Sequence, residues 1–401
     1  MKLTEKNIVL GVTGGIASYK AAELVRLLTG DGASVRVVMT TNAQQFITPL
    51  TLQTLSGNSV ATSTFDLTRE SEIGHIELAD AADLLIIAPA TANFIAKLAH
   101  GIADDLLSTI LLVASAPKLI APAMNVKMFE HPATQNNLRQ LKDYGYHVLD
   151  PGEGELACGY SGKGRLPEPM LIVDSANAVL CTKDLSGERI IVTAGPNCEP
   201  IDPVRFISNR STGKMGYAMA RAGQQRGANV TLITGPTRLS TPSGVQAIPV
   251  RTAIEMENAV KAEYDKATMV ISAAAIADYR PAETAEHKLK KGPGDMHLSL
   301  SRNPDILAGL GKNKGSRLLV GFATETENLL KNAERKLKSK NLDLIIANDV
   351  TQKGAGFATD TNIVTLLDGF AKPKTLPLMS KDDVAHLVYD RLVLMRQSQQ
   401  A

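Results

Sequence analysis

The segment KNIVLGVTGGIASYKAAELVRLLTGDGASVRVVMT, Lys6 to Thr40, is compatible with very few folds. An unbroken apolar run (Ile8 to Val12) meets a glycine turn, and a helical pattern follows from Ile16 to Thr29. A GDGA stop then precedes a second apolar run, Val35 to Met39. Strands apolar on both faces and joined through a helix are buried and parallel, because crossover helices cover the faces of the sheet. The segment therefore predicts a βαβ unit. A weaker echo, GERIIVTAGPNCEPIDPVRFISNRSTGKMGYAMARAGQQRGANVTLITGPT, begins at Gly187. It repeats strand, glycine, helix (Lys214 to Gln225), glycine stop and strand, with a much longer insertion before its helix. Two such starts predict an α/β protein of two doubly wound, Rossmann-like parallel-sheet domains.

Further strands are read at ADLLIIAPA, PKLIAPAMN, TMVISAAA, RLLVGFAT, LDLIIAND and TNIVTLLD, with helices at MLIVDSANAVL, TENLLKNAERKLKSK and DDVAHLVYDRLVLM. A chain of 401 residues, 44% hydrophobic, is too long for one average domain. The polar joint CTKDLSGE puts the boundary near Ser186, giving domains 1–186 and 187–401. A net charge of +2 gives no strong steering toward nucleic acid or an anionic membrane, so neither is expected as a partner. The amino terminus lacks a signal-peptide pattern, and no apolar run reaches the roughly 18 residues of a spanning helix. The chain reads as cytoplasmic. Its three cysteines, Cys158, Cys181 and Cys198, lack CxxC spacing, which argues against a disulfide framework or a structural zinc site.

Ligands collect at the carboxyl ends of parallel strands, so residues just beyond each strand carry the functional reading. In GVTGGIASYK, Gly14 and Gly15 precede a helix whose leading amides suit a phosphate, with Ser18 offering a hydroxyl. A tight βα turn would look the same, and the GxGxxG dinucleotide fingerprint is absent. APATANFIAKLAHGIADDLLS and APAMNVKMF follow the next two strands, bringing Thr91, Asn93 and Asn125. Asp104 and Asp105 read as caps or surface charges. His75, in ESEIGHIELAD, reads by itself more readily as a hydrogen-bonded structural histidine than as a catalyst. Cys158 sits in GEGELACGYSGKGRLPE, a glycine-rich stretch poorly suited to a core, where the thiol reads either as a small buried hydrophobe or as a functional group.

In the second half, EPIDPVRFISNRSTGKMG contains a GK that invites a P-loop reading, which fails because Met215 follows Lys214. ISAAAIADYRPAE ends a strand with small residues and offers Asp278. EHKLKKGPGD presents Lys288, Lys290 and Lys291, and NPDIL begins a helix from Asn303 with Asp305 in its first turn. Lys336 and Lys340 are four apart on one helical face, which alone reads as a solvated surface.

Taken in order, GVTGGIASYK, PATAN, GHIELA, APAMNVKM and LACGYSGKGRLPE resemble the flavin-containing cysteine decarboxylases. With the second half included, the whole chain resembles the bacterial bifunctional proteins that join phosphopantothenoylcysteine decarboxylase to phosphopantothenate:cysteine ligase. The resemblance implies a flavodoxin-like first domain with flavin mononucleotide (FMN) at Gly14, Gly15, Ser18, Thr40 and Ser108. It implies that His75 acts at a trimer interface, that Asn125 holds the substrate carboxylate, and that Cys158 donates a proton from a flap. For the ligase domain it implies contact of Asn209 with an acyl intermediate and promotion of the second half-reaction by Lys288. CTP would be held by Ala274, Asp278, Lys288, Asn303, Pro304, Asp305, Ile306, Phe322, Lys336 and Lys340, with Mg²⁺ near Asp278. The expected substrates are 4'-phosphopantothenate, cysteine, CTP and 4'-phosphopantothenoylcysteine. Trimeric first domains and dimeric second domains would build a dodecamer. Where the family carries Thr-Arg, this chain has Asn197-Cys198.

Two other readings compete. Relatives of the first domain serve as flavin-binding regulatory proteins, which would need neither His75 and Cys158 nor a ligase half. A nicotinamide-dependent reductase would need a GxGxxG turn, which neither βα start supplies.

Overall fold

The two βαβ starts each seed a sheet, and a computed structural model shows both; it describes residues 3–64, 74–155, 161–291, 295–325, 328–349, 354, 356–369 and 371–400. The chain forms two compact units that divide between Cys181 and Thr182. In the first, β1 (Asn7–Val12), β2 (Ser34–Met39), β3 (Leu84–Ala90), β4 (Lys118–Pro122) and β5 (His147–Val148) form a parallel sheet in the order β2-β1-β3-β4-β5. Side chains alternate across it. Leu10 and Ile86 join Leu24, Leu28 and Ile172 of the helices on one face, while Val9, Leu85 and Ile87 join Phe94, Leu107 and Ile110 on the other. Each such leucine, removed from water, contributes about 2 kcal/mol.

The chain runs from β1 to β2 on one side and to β3 on the other, so the order reverses between β1 and β3. Such a switch point leaves a crevice outside the strand ends. There the Thr13 hydroxyl donates to the Pro89 carbonyl at 2.7 Å. A hairpin of β6 (Gly152–Glu155) and β7 (Ser161–Arg165) stands beside it. Gly164, at φ 153°, lets β7 lie against the neighbouring loop, since a Cβ there would fall 2.3 Å from the Met124 carbonyl oxygen. The Met124 N–H in turn donates to the Gly164 carbonyl at 2.9 Å.

In the second unit, β8 (Arg189–Ala194) starts the sheet, and the long insertion folds as a ribbon of β9 (Cys198–Pro200) and β10 (Phe206–Ser208). β11 (Asn229–Thr234), β12 (Gln246–Pro249) and β13 (Met269–Ser272) follow. β14 (Tyr279–Pro281) and β15 (Leu300–Arg302) form a second ribbon before β16 (Leu318–Glu325) and β17 (Leu344–Asp349). The short β18 (Thr361–Asn362) pairs with β21 (Met379–Ser380), and β19 (Val364–Asp368) with β20 (Lys374–Thr375) closes the main sheet. Its order is β12-β11-β8-β13-β16-β17-β19-β20. The strands are parallel through β17, and β19 then runs antiparallel to it. The wholly parallel sheet expected from sequence therefore gains an antiparallel edge; an apolar run such as IVTLLD packs equally well in either direction.

The helix Lys214–Gln225 covers one face, where Tyr217 and Met219 pack with Val388, Tyr389 and Leu392 of the helix Lys381–Gln400. The joint that sequence placed near Ser186 belongs to this unit from Thr182 onward. The Leu185 N–H donates to the Arg226 carbonyl at 3.0 Å and Lys183 Nζ to the Gln225 carbonyl at 2.6 Å. The buried Arg226 guanidinium reaches Asp184 through Nε at 2.8 Å and Asp390 at 2.7 Å.

Candidate active sites

A cavity of about 840 Å³ opens at the switch point of the first unit. The glycine turn forms one end, Thr40 to Asn42 a second wall, Thr91 to Phe94 a third, and Ala123 to Asn125 with Gly164 to Leu166 of the hairpin the far end. The turn must approach the Asn42 loop closely: a Cβ on Gly14 would fall 2.3 Å from Asn42 Cβ. Thr91 caps the helix Ala92–Ala99 by accepting from the Phe94 N–H at 3.3 Å. Asn125 caps the helix Val126–Glu130, its Oδ1 accepting from the Lys127 N–H at 2.8 Å.

Four expected residues, Gly14, Gly15, Thr40 and Asn125, thus share one cavity, and three others do not line it. Ser18 is fully buried, its hydroxyl 2.8 Å from the Thr13 carbonyl and 2.6 Å from that of Gly15. Ser108 is also buried, with its hydroxyl and its N–H each 2.8 Å from Asp105 Oδ1. Asp105 is the helix cap that the sequence suggested. His75 begins the partly exposed helix Gly74–Asp80. Cys158 lies outside the described residues.

Sequence reasoning missed Lys97, which lines the cavity with Asp104 and Asp105. Its Nζ is 2.6 Å from Asp104 and 3.4 Å from Asp105. The Asp104 hydrogen bond chiefly holds this ammonium above its ordinary pKa and holds the Asp104 carboxyl below its own. The wall therefore carries both charges at neutral pH. Lys97 and Asp104 are seven residues apart, across a helix end, so no helical spacing announced the pair.

In the second unit, the candidate residues cluster beyond β8, β13 and β15. Asn209 Nδ2 donates to the Ala275 carbonyl at 2.9 Å, and the Ala274 N–H reaches Thr193 Oγ1 at 3.3 Å. The Asn303 N–H donates to the Asp278 carbonyl at 2.8 Å, while its Nδ2 donates to the Ala277 carbonyl at 2.8 Å. Asp305 is the cap of the helix Ile306–Lys312, one position ahead of the first-turn place expected, and accepts from the Ala308 N–H at 3.0 Å. It also pairs with Lys340 Nζ at 2.8 Å. Pro304 precedes it, Ile306 is buried, and Phe322 lies partly buried in β16. Lys336 is on the helix Leu329–Ser339, and Lys340 caps its end.

Lys288 is exposed on a segment tied to a different turn. The Leu289 N–H donates to Asp202 Oδ2 at 3.1 Å, and the Leu289 carbonyl accepts from Arg205 at 2.9 Å. The fork from Arg205 holds the Asp202 carboxyl well below the usual carboxylate range. Lys214, the lysine of the failed P-loop reading, is occupied by Asp360 at 2.7 Å and the Ala358 carbonyl at 2.9 Å. Among the described residues no group of three or more His, Cys, Asp and Glu could hold a metal ion, and no helix is long and apolar enough to cross a membrane.

Family models match both units: Flavoprotein over residues 1–180 and the DNA/pantothenate metabolism flavoprotein C-terminal domain over residues 185–395. The coenzyme A biosynthesis bifunctional protein CoaBC of Bacillus subtilis (strain 168) is 50% identical over 98% of both chains. That of Escherichia coli (strain K12) is 49% identical over 98% of both chains. That of Vibrio cholerae is 47% identical over 97% of this chain and 99% of its own. The chain belongs to the CoaBC family.

As a member of the CoaBC family it is bifunctional, a flavoprotein decarboxylase unit followed by a ligase unit, catalysing two consecutive steps of coenzyme A biosynthesis. A purely flavin-binding regulatory role leaves the ligase unit without a use. Membership of the family accords with a crevice at the β1/β3 switch point, the place where open α/β sheets gather ligands.

Proposed function

We propose that the ligase unit condenses 4'-phosphopantothenate with cysteine at the expense of CTP, through an acyl-cytidylate, and that the flavoprotein unit, holding FMN, decarboxylates the product to 4'-phosphopantetheine. The observation that carries the reading is the single cavity joining the glycine turn to Asn125. Its volume accommodates a mononucleotide and a substrate together, in the range of ordinary cofactor pockets.

FMN would lie along Gly14, Gly15 and Thr40, with Ser18 and Ser108 shaping the backbone behind them. Bound there, it supplies the two-electron chemistry that makes loss of carbon dioxide from an unactivated carbon feasible. Asn125 would hold the leaving carboxylate by hydrogen bonds without a positive charge that opposes its departure. Cys158 would deliver a proton after substrate binds, and His75 would act from a neighbouring subunit, in keeping with its absence from the cavity of one chain.

In the ligase unit, Asn303, Pro304, Asp305 and Ile306, with Ala274, Phe322, Lys336 and Lys340, would hold CTP. A carboxylate needs a better leaving group than hydroxide, and the nucleotide provides it as pyrophosphate departs. Lysines offset the developing phosphate charge. Lys288 would promote attack by cysteine's amine, and Asn209 would hold the acyl group. Mg²⁺ would arrive on the phosphates; one carboxylate, Asp278, suits an ion that keeps several waters. We place the enzyme in the cytoplasm, as a dodecamer of trimeric first units and dimeric second units.

The test is an absorbance spectrum of the purified protein, then incubation with 4'-phosphopantothenate, cysteine, CTP and Mg²⁺ with mass analysis. A flavin spectrum, pyrophosphate and 4'-phosphopantetheine are expected. Turnover with ATP but not CTP would overturn the nucleotide assignment, and a protein without flavin would overturn the first-unit assignment.

A further inference from the structure

We propose that Glu199, with Asn197 beside it, is a positioning residue of the ligase unit: its buried carboxylate sets the spacing between the Ala274–Asp278 loop and Asn303, and nucleotide affinity depends on that spacing. The inference rests on the CTP site proposed above.

Asn197 is fully buried and Glu199 is 2% exposed. Glu199 Oε1 accepts from the Ala253 N–H at 2.8 Å, from Asn303 Nδ2 at 3.3 Å, and from Asn197 Nδ2. Asn197 Oδ1 accepts from the Ala277 N–H at 2.7 Å, and the Asn197 carbonyl accepts from Ser208 Oγ at 2.7 Å. One short strand, β9 with the residue before it, therefore touches the Ala277 segment, Asn303 and the residue preceding Asn209.

The residue types follow from the donors. Three N–H groups converge on one point, and Glu199 Oε1 accepts from all three. Ala253 opens the helix Ala253–Tyr264, whose amino-terminal end favours a negative charge. Asn197 must be an amide or equivalent, because it donates to Glu199 while accepting from Ala277. A buried carboxylate persists only where such bonds replace its hydration. Removing it leaves the Ala253 N–H and the Asn197 amide without their acceptor and takes one of the two acceptors from the Asn303 amide. Asn303 keeps the Ala277 carbonyl at 2.8 Å and Arg280 on its Oδ1 at 3.2 Å; the loss loosens this corner of the loop. Asn197 builds this contact through an amide, and the buried Cys198 between Asn197 and Glu199 ties the strand to Arg251 and Ser208, its N–H donating to the Arg251 carbonyl at 2.7 Å and its Sγ lying 3.6 Å from Ser208 Oγ.

The test uses the full-length enzyme. Ligase turnover is followed as pyrophosphate release, and decarboxylation is measured separately on supplied 4'-phosphopantothenoylcysteine. Glu199→Ala should raise KM for CTP about tenfold or more with kcat changed less than about threefold, a split that marks lost binding geometry rather than lost chemistry. Decarboxylation should not change. Glu199→Gln, which keeps an oxygen acceptor in place, should recover most of the affinity. Unchanged KM for CTP in Glu199→Ala, or loss of kcat alone, would overturn the proposal, as would a Gln variant no better than Ala. If Glu199→Ala does not fold, Asn197→Ala replaces it, with the same expected rise in KM and the same contrary result. A wild-type protein that releases no pyrophosphate from CTP would refute the underlying site; an active wild type with indifferent variants refutes the positioning role alone.

Discussion

In the flavoprotein unit, Gly14, Gly15, Thr40 and Asn125 surround a cavity of about 840 Å³, whereas in the ligase unit Asn209, Asn303, Asp305 and Lys340 are bonded to their own chain. The two arrangements suit different ligands. A resident cofactor needs a standing void, kept open by glycines and capped helix starts. The nucleotide proposed for the ligase unit would enter and leave each cycle, and the partly exposed groups proposed to hold it have partners within their own chain that it would replace.

The largest expected effect separates the units outright. Asn125→Asp preserves the helix cap but, with Asn125 holding the substrate carboxylate as proposed, would set a second negative charge against it. At an effective dielectric near 20, like charges about 4 Å apart repel by about 4 kcal/mol. Decarboxylation should fall about 100-fold or more while pyrophosphate release is unaltered; equal loss of both activities would break the comparison.

Next comes a difference in acid stability. His386 is buried in the second unit, with Nδ1 lacking a hydrogen-bond partner among the described residues. Burial chiefly, with the Arg226 guanidinium nearby, pushes its imidazole down to about 4. The unfolded imidazole titrates near 6.5, so the unfolded chain binds the extra proton between the two values. Stability complete above about pH 6.5 is therefore lost as pH falls toward 4, by up to about 3 kcal/mol. Calorimetry across this range should show the effect in the ligase unit, and His386→Phe should flatten it.

Gly164→Ala tests the void more gently. The strained φ and the contact with the Met124 carbonyl should cost about 1–3 kcal/mol, felt where β7 meets the Asn125 loop. Decarboxylase kcat/KM should drop about tenfold, with ligase turnover as the control. The smallest effect probes self-pairing. Asp305→Asn retains the helix cap but releases Lys340, and an exposed ion pair is worth at most about 1 kcal/mol. KM for CTP should change by no more than about fivefold; a tenfold rise would show that the Asp305 carboxylate, rather than the rest of the Asn303–Ile306 segment, holds the nucleotide.

Much of the framework was legible because its causes are local. The helix Lys214–Gln225 was read to the residue, between a glycine-containing entry and a glycine stop. Buried strands announce themselves as apolar runs, and a strand end followed by Thr, Asn or small residues marked each candidate site. Lys97 escaped notice because its partner lies past a helix end. Glu199 read as one charge in an irregular loop, since the three groups that define its role come from distant parts of the chain.

By itself, then, the sequence determined the two βαβ starts, the residues at the strand ends and the membership of an ordered motif set. Tertiary structure alone decided that β19 reverses direction, that Ser18 and Ser108 lie behind the cavity wall, and that Lys340 meets Asp305. The division has one physical reason. Periodicity and capping act within a few residues and leave a trace in order, whereas a buried carboxylate or an ion pair is defined by which distant donors the finished packing brings to it.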